Sequence, residues 1–234
     1  MPPTTVIVIA ARDEAQRIPA TLAALAEAFP GAPIVVGDDG SRDDTVNLAR
    51  AAGATVCSTG RRRGKGAAAT LAARHALELG GESAVYVLCD ADLGRSAATL
   101  VALAEAVRTG DASVAVASFA RRRGGGFGIA LGFARWALHR RTGLRLSSPM
   151  SGQRALGGGA LRAVLPFAPR FGMELAMGID ASQAGLPITE LELELEHRAT
   201  GRDRRGFRHR GRQLGDLLAV YLVHGRGGGH RLRQ

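Results

Sequence analysis

The chain has 234 residues, 46% of them hydrophobic, with two cysteines and a formal net charge of +10. That length can bury a full core without disulfide or metal staples, the apolar settings of Cys57 and Cys89 predict reduced thiols rather than a disulfide or metal pair, and no apolar stretch reaches the roughly 20 residues that span a bilayer. From Arg198 to Gln234 ten arginines stand against Asp203 and Asp216, a balance of +8, which predicts an anionic partner. A lipid surface or a phosphorylated substrate fits that charge better than nucleic acid, because the segment offers only Phe207 and Tyr221 as aromatics, without a stacking repeat.

The opening Met1-Pro-Pro-Thr-Thr has no basic head, which predicts no signal peptide and a cytoplasmic location. Residues 6–9 then read as a buried strand, 15–29 as an amphipathic helix, 34–36 as a strand and 45–52 as a helix. Residues 55–57 read as a short strand, 67–79 as a helix, 84–89 as a strand, 97–109 as a helix and 113–118 as another strand. Strands alternating with helices over short connections predict an α/β fold with a mostly parallel sheet covered on both faces. In such sheets ligands gather at the carboxyl ends of the strands. Three acidic clusters fall there: Asp13-Glu14, Asp38-Asp39, and Asp90 with Asp92.

Asp90-Ala91-Asp92 directly follows the apolar run at 84–89. Two carboxylates at a strand end supply hard oxygen ligands through which a divalent cation bridges to a diphosphate. Locally, the same pattern also serves as a turn or a helix cap. The neighbouring signal is Gly60-Arg-Arg-Arg-Gly-Lys-Gly66, which holds Lys65, the only lysine of the chain, ahead of an alanine-rich helix. Glycines let backbone amides approach an anion, and a helix amino terminus adds favourable partial charge. The spacing is not that of a P-loop.

Through Val6-Ile-Val-Ile-Ala-Ala-Arg-Asp-Glu14, Ile34-Val-Val-Gly-Asp-Asp-Gly-Ser-Arg-Asp-Asp-Thr45, Gly64-Lys-Gly66 and Cys89-Asp-Ala-Asp-Leu93, the chain resembles family 2 glycosyltransferases of the GT-A fold. The resemblance implies a nucleoside-diphosphate-sugar donor and a Mg²⁺ or Mn²⁺ ion. Asp39 stands where the family contacts the nucleotide base. Ala10, Arg12, Glu14, Lys65, Asp90 and Ala91 fall on the segments that line the donor, and Asp90 and Asp92 on the metal motif. The first segment departs from the usual Pro-x-Tyr-Asn-Glu at Ala10, Arg12 and Asp13 while keeping Glu14.

The second half is similar to the branch that includes dolichyl-phosphate mannosyltransferase. Ser148-Pro-Met-Ser-Gly-Gln-Arg154 resembles its Asp-x-x-Ser-Gly-Phe-Arg segment, with Ser148 at the usual acidic position. Phe171-Gly-Met-Glu174 resembles its later glutamate region, and 190–202 its final strand and Arg-x-x-Gly segment. The implied acceptor-side residues are Gly152, Gln153, Arg154, Arg198 and Arg202. Glu174 is the candidate base, against the alternative of a surface glutamate on a helix. His197 is a candidate third metal ligand, suited to Mn²⁺ and poor for Mg²⁺; a backbone-bonded histidine at a strand end is the alternative.

The domain plan is a single unit over 1–205, divided into a nucleotide-sugar half (1–120) and an acceptor-side half (121–205), followed by a basic segment at 206–234. Residues 127–138, holding the only tryptophan and trailed by His139-Arg-Arg141, read as an amphipathic helix suited either to anionic lipid or to the core. Arg121-Arg-Arg-Gly-Gly-Gly126 ahead of it reads as a loop that closes over substrate, and 217–223 as a second interfacial element. Together these point to a peripheral enzyme using a polyprenyl phosphate acceptor. A small soluble acceptor such as a phosphoglycerate or glycerate is the alternative within the family, and a non-catalytic basic protein binding membrane or RNA the alternative outside it.

Overall fold

A computed structural model describes residues 4–119, 128–169, 172–195 and 204–223. The first half runs β1 (Thr5–Ala11), α1 (Ile18–Ala28), β2 (Ile34–Asp38), α2 (Thr45–Ala51), β3 (Thr55–Ser58), α3 (Lys65–Gly80) and β4 (Val85–Asp90). A 3₁₀ helix (Gly94–Leu100), α4 (Val101–Arg108) and β5 (Val114–Phe119) follow. The second half contributes α5 (Gly128–Thr142), β6 (Arg154–Gly157), α6 (Gly158–Ala163), α7 (Met173–Gln183), β7 (Ile188–Leu193) and α8 (Arg204–Val223).

The strands form one sheet in the order β3-β2-β1-β4-β6-β5-β7. All neighbours are parallel except β6, which runs antiparallel to both β4 and β5. Both faces are covered, so the central strands are apolar on both sides and sort their side chains by the two-residue strand period. Val6, Val8, Tyr86 and Leu88 pack under α3, α5, α6 and α7. Ile7, Ile9, Val85, Val87 and Cys89 pack under α1, the 3₁₀ helix and α4. The edge strand β7 carries Glu190 and Glu192, charges that discourage pairing with a further strand. Cys57 is half-buried, Cys89 is buried, and both are free thiols.

Two helices differ from the sequence expectation. Helix α1 starts at Ile18, not Ala15, because the amides of Glu14 and Ala15 donate to Thr45 Oγ1 (2.8 Å) and Asp43 Oδ2 (3.0 Å) and Pro19 sets the first turn. The expected helix at 97–109 is divided. Ser96 Oγ donates to Leu93 O (2.7 Å) and Thr99 Oγ1 to Ser96 O (2.8 Å), and hydroxyls bonding the backbone in this way accompany the tighter 3₁₀ turns before α4.

Helix α3 lies close to the sheet because of what is missing from its neighbours. A Cβ on Gly37 would come within 2.2 Å of the Ala68 carbonyl oxygen. Its buried face is built of alanines and small residues, including Ala68, Ala69, Ala72, Ala73 and Ala76. This close seat brings the amino end of α3 over the carboxyl ends of β1, β2 and β4. Near the carboxyl end, α8 packs Leu217 and Val220 inward, and a Cβ on Gly172 would meet Val220 Cγ2 at 2.3 Å.

Candidate active site

The three acidic clusters meet along one edge, as the sheet order requires: β1 lies between β2 and β4, with Ala11 in register with Asp38 and Ala10 with Asp90. The structure sorts these acids into two kinds. Asp13, Asp38 and Asp43 are spent on the loops. Asp13 Oδ1 accepts from Arg42 N (2.8 Å) while Asp13 N donates to Ser41 Oγ (3.0 Å), which ties the loops after β1 and β2 together. Asp13 sits at φ 54°, a left-handed conformation that aspartate tolerates through such local bonds. Asp38 Oδ1 accepts from Ser41 N (3.0 Å), and its Oδ2 accepts from Gly40 N (3.2 Å) and Ser58 Oγ (2.8 Å).

Glu14, Asp90 and Asp92 make up the second kind, and Asp39 stands between the two. Burial pushes the Glu14 carboxyl above its ordinary value; Arg17 pulls it down, and the negative charge of Asp92, Asp43 and Asp90 adds to the rise. Asp39, 5% exposed, accepts through Oδ1 from Arg63 N (2.6 Å) and Gly64 N (2.7 Å), so this acid fixes the basic glycine loop. Ala91 is buried, and its carbonyl accepts from Thr21 Oγ1 (2.8 Å), which in turn accepts from Gly94 N (2.9 Å). That clamp sets the turn from which Asp92, half-buried, projects. Ala10 and Arg12 flank the same edge, both partly buried, and Arg12 Nε lies 3.3 Å from Asp13 Oδ2.

Opposite these acids stands Gly64-Lys65-Gly66. Gly64 caps α3 at φ 102°, a conformation side-chain-bearing residues rarely adopt, and a Cβ on Gly66 would run into the Ala168 carbonyl oxygen at 2.0 Å. Lys65 between them reaches back across the site. Its ammonium lies 2.7 Å from Asp90 Oδ1 and donates to Glu174 Oε1 at 2.8 Å. Burial opposes that charge, but Asp90 and Glu174 outweigh it and hold the amine protonated well above the usual lysine range. Glu174 lies in the first turn of α7 and is 6% exposed, which sets aside the alternative of a surface glutamate.

The loop at 147–154 closes the site. Gln153, 1% exposed, donates from Nε2 to Asp90 Oδ2 (2.8 Å), and Ser151 Oγ donates to Gln153 Oε1 (3.1 Å), fixing the amide's orientation. Gly152 lies against the ion pair: a Cβ there would come within 2.8 Å of both Asp90 Oδ2 and Lys65 Nζ. Arg154 points inward, donating from Nε to Ser151 O (3.0 Å) and from Nη2 to Pro149 O (2.9 Å), so its fork braces this loop from within. Burial lowers its pKa to about 10, against the opposing pull of Glu174 and Glu190. Ser148, at the position of the family's usual acid, donates its backbone amide to Glu190 Oε1 (2.7 Å).

The sequence reading missed the supporting residues Thr21, Ser151 and Glu190. Thr21 carries no motif signal, Ser151 falls in the Ser-Gly segment but was given no role there, and Glu190 is one of several alternating glutamates in its strand. His197, Arg198, Arg202 and the 121–126 loop lie outside the described residues. Among the described residues no group of three or more His, Cys, Asp or Glu is arranged to hold a metal ion. Mg²⁺ is commonly held by one or two carboxylates plus substrate phosphates. Asp90 and Asp92 supply that donor type, and the crowding of Glu14, Asp90 and Asp92 on one edge, which adds to the rise that burial gives Glu14, marks a place where added positive charge is favourable. The residues present fit such an ion.

A mostly parallel sheet with one reversed strand, carboxylates at its carboxyl edge and a glycine-flanked lysine opposite them define a glycosyltransferase of the GT-A type. The chain belongs to glycosyl transferase family 2, which it matches over residues 6–161. Solved structures of glucosyl-3-phosphoglycerate synthase from Mycobacterium tuberculosis are similar throughout. The complex with Mn²⁺, uridine diphosphate and glucosyl-3-phosphoglycerate has a TM-score of 0.77 at 24% identity, covering 97% of this chain and 82% of that one. The complex with Mg²⁺ and uridine diphosphate has a TM-score of 0.78 at 24% identity, covering 97% and 81%. The complex with Mn²⁺, uridine-diphosphate-glucose and phosphoglyceric acid gives 0.77, 24%, 97% and 81%. No curated protein matches the chain. These neighbours are not polyprenyl-phosphate mannosyltransferases, the branch the second half was expected to resemble.

Proposed function

We propose that this glycosyltransferase moves a sugar from a uridine-diphosphate sugar to a small phosphorylated acceptor of the phosphoglycerate kind, with Mg²⁺ or Mn²⁺ at Asp90 and Asp92. The observation that carries the reading is the Lys65-Asp90-Glu174 cluster at the carboxyl edge of β4, closed over by Gly152 and Gln153. Ala10, Arg12, Glu14, Asp39 and Ala91 line the donor side in this scheme, and His197 supplies a further ligand suited to Mn²⁺. When bound, the cation offsets charge on the departing nucleoside diphosphate. Lys65 carries a fixed positive charge beside the same carboxylates, and the start of α3 presents amides and a favourable dipole to phosphate oxygens.

A hydroxyl acceptor must lose a proton, and Glu174 is the candidate to take it; a phosphate acceptor is already an oxyanion and needs no base. Arg198 and Arg202 are suited to the acceptor's phosphate through planar, charge-assisted bonds, while Arg154 serves the site by holding the 147–154 loop. We assign 1–205 to one catalytic domain, with a donor half (1–120) and an acceptor half (121–205), and 206–234 to a basic extension.

The soluble acceptor is favoured by the phosphoglyceric acid and glucosyl-3-phosphoglycerate in the structural neighbours. A polyprenyl phosphate acceptor is the second reading, favoured by the exposed apolar side chains of α5 and α8 and the exposed Arg140 of α5. The test is calorimetric titration with uridine and guanosine diphosphates, with and without Mn²⁺, beside an Asp90→Ala/Asp92→Ala variant. Metal-dependent binding of uridine diphosphate that disappears in the variant is expected; no binding of either nucleotide to folded protein would overturn the reading. Sugar transfer to 3-phosphoglycerate against a detergent-solubilised polyprenyl phosphate then separates the two acceptors.

A further inference from the structure

Among the described residues, five of the eight exposed large hydrophobic side chains lie on two helices, the other three being Leu71, Leu79 and Val101. Ile129 and Trp136 lie on α5, and Leu218, Leu222 and Val223 on α8, with Trp136 49% and Leu222 56% exposed. On α5, Ile129, Phe133, Trp136 and Arg140 recur at helical spacing along one face. On α8, Leu218 and Leu222 are one turn apart and flank Tyr221. Tyr221 stitches α8 to α5, its ring centroid 5.0 Å from Trp136 and 6.1 Å from Phe133, which lie 5.6 Å from each other on α5. Arg141 completes the seam, its guanidinium 4.1 Å from the Tyr221 ring centroid and its Nη2 donating to Tyr221 O at 2.7 Å. The seam is therefore a built surface with a fixed shape, not a scatter of single apolar side chains.

Positive charge lies at the α5 end of the seam. His139, Arg140 and Arg145 are exposed at the end of α5 and just beyond it. The chain on both sides of 217–223 is rich in arginine and contributes most of the net +10. We propose that this α5–α8 seam seats the enzyme on an anionic lipid surface, with Trp136, Leu218 and Leu222 at the level of the headgroup and acyl boundary and the arginines among the headgroups. Charge decides between occupants. A second copy placed on the seam would bring two strongly basic regions together, whereas anionic lipid compensates the charge and accepts the apolar side chains at once. No helix among the described residues is long and apolar enough to cross a membrane, so the contact is interfacial. It holds for either acceptor.

Trp136 is the only tryptophan in the chain, so native fluorescence reports on the seam directly. The full chain is mixed with vesicles of phosphatidylcholine alone or with phosphatidylglycerol added, and both emission and co-sedimentation are followed. With the anionic vesicles, Trp136 emission shifts to the blue and the protein sediments, and raising salt from about 0.1 M to about 0.5 M releases it. Arg140→Glu/Arg145→Glu weakens partitioning more than tenfold, at about fivefold for each basic charge lost. Leu218→Ser/Leu222→Ser also weakens it while leaving nucleotide binding in place as proof of folding. No shift with either vesicle, equal binding to neutral vesicles, or undiminished binding by the charge-reversal variant overturns the proposal. So does a blue shift that grows with protein concentration in the absence of lipid, which would assign the seam to a second copy.

Discussion

Lys65 and Glu174 meet at 2.8 Å across 109 residues of sequence, joining the first turn of α3 to the first turn of α7. The same ammonium lies 2.7 Å from Asp90 Oδ1, so one side chain holds Asp90 and Glu174 at a fixed separation. Glu174 is buried, and removing its partner leaves a carboxylate poorly solvated. Lys65 is about one-third exposed, which allows water to screen part of the loss. Lys65→Met is therefore expected to cost about 2 kcal/mol of stability at neutral pH, below the range for fully buried pairs. Urea denaturation of the two single variants and of Lys65→Met/Glu174→Gln checks it: the double variant should be less destabilised than the sum of the singles.

Gln153 replaces the aromatic residue expected in the Ser-Gly-Phe-Arg segment, and its amide bonds Asp90 Oδ2 at 2.8 Å. Outer hydrogen bonds of this kind orient metal-binding carboxylates, and their loss commonly weakens metal affinity by about 10- to 100-fold. Gln153→Leu is expected to weaken Mn²⁺-dependent binding of uridine diphosphate by about tenfold while leaving metal-free nucleotide binding nearly unchanged. Calorimetry with and without Mn²⁺ separates the two.

Gly152→Ala tests how closely the loop must approach the ion pair. Its new methyl would lie 2.8 Å from both Asp90 Oδ2 and Lys65 Nζ, inside contact distance, so either the pair or the loop has to move. The expected outcome is a folded protein with lost or strongly reduced transfer activity, read from product formation beside the circular dichroism spectrum.

How far the sequence went depended on whether a feature was local. The alternating elements from β1 to β5 and the acids at strand ends were legible, because strand periodicity and strand–loop boundaries are short-range signals. The division of labour among the acids was not. Asp13, Asp38, Asp39 and Asp43 resemble Glu14 and Asp92 in sequence, and only the folded loops show that the first four are engaged by backbone amides. Arg154 was equally illegible. An arginine in a loop reads as a phosphate clamp, yet its Nε and Nη2 are taken by the Ser151 and Pro149 carbonyls, and nothing in the local pattern gives its direction. Lys65 stood out by being unique, but its partner Glu174 is set by where the first turn of α7 comes to lie.

Asp38 offers a prediction that pH can resolve. Burial pushes its carboxyl upward, but hydrogen bonds from Ser41, Ser58 and Gly40 outweigh burial and hold it below the ordinary carboxylate range. An acid with a lowered pKa in the fold contributes stability that is fully present above its unfolded value of about 3.9 and is lost as pH falls through the lower folded value. Asp38→Asn keeps the shape but removes the charge and one acceptor oxygen. It is expected to cost about 2 kcal/mol at pH 7, and the gap between variant and parent should begin to close below about pH 4 and finish closing only once pH passes the lower folded value, where the parent's carboxyl is itself protonated. Thermal denaturation of both proteins at several pH values measures the gap. A difference that stays constant into the acid range would mean that the lost bonds, not the lost charge, set the cost.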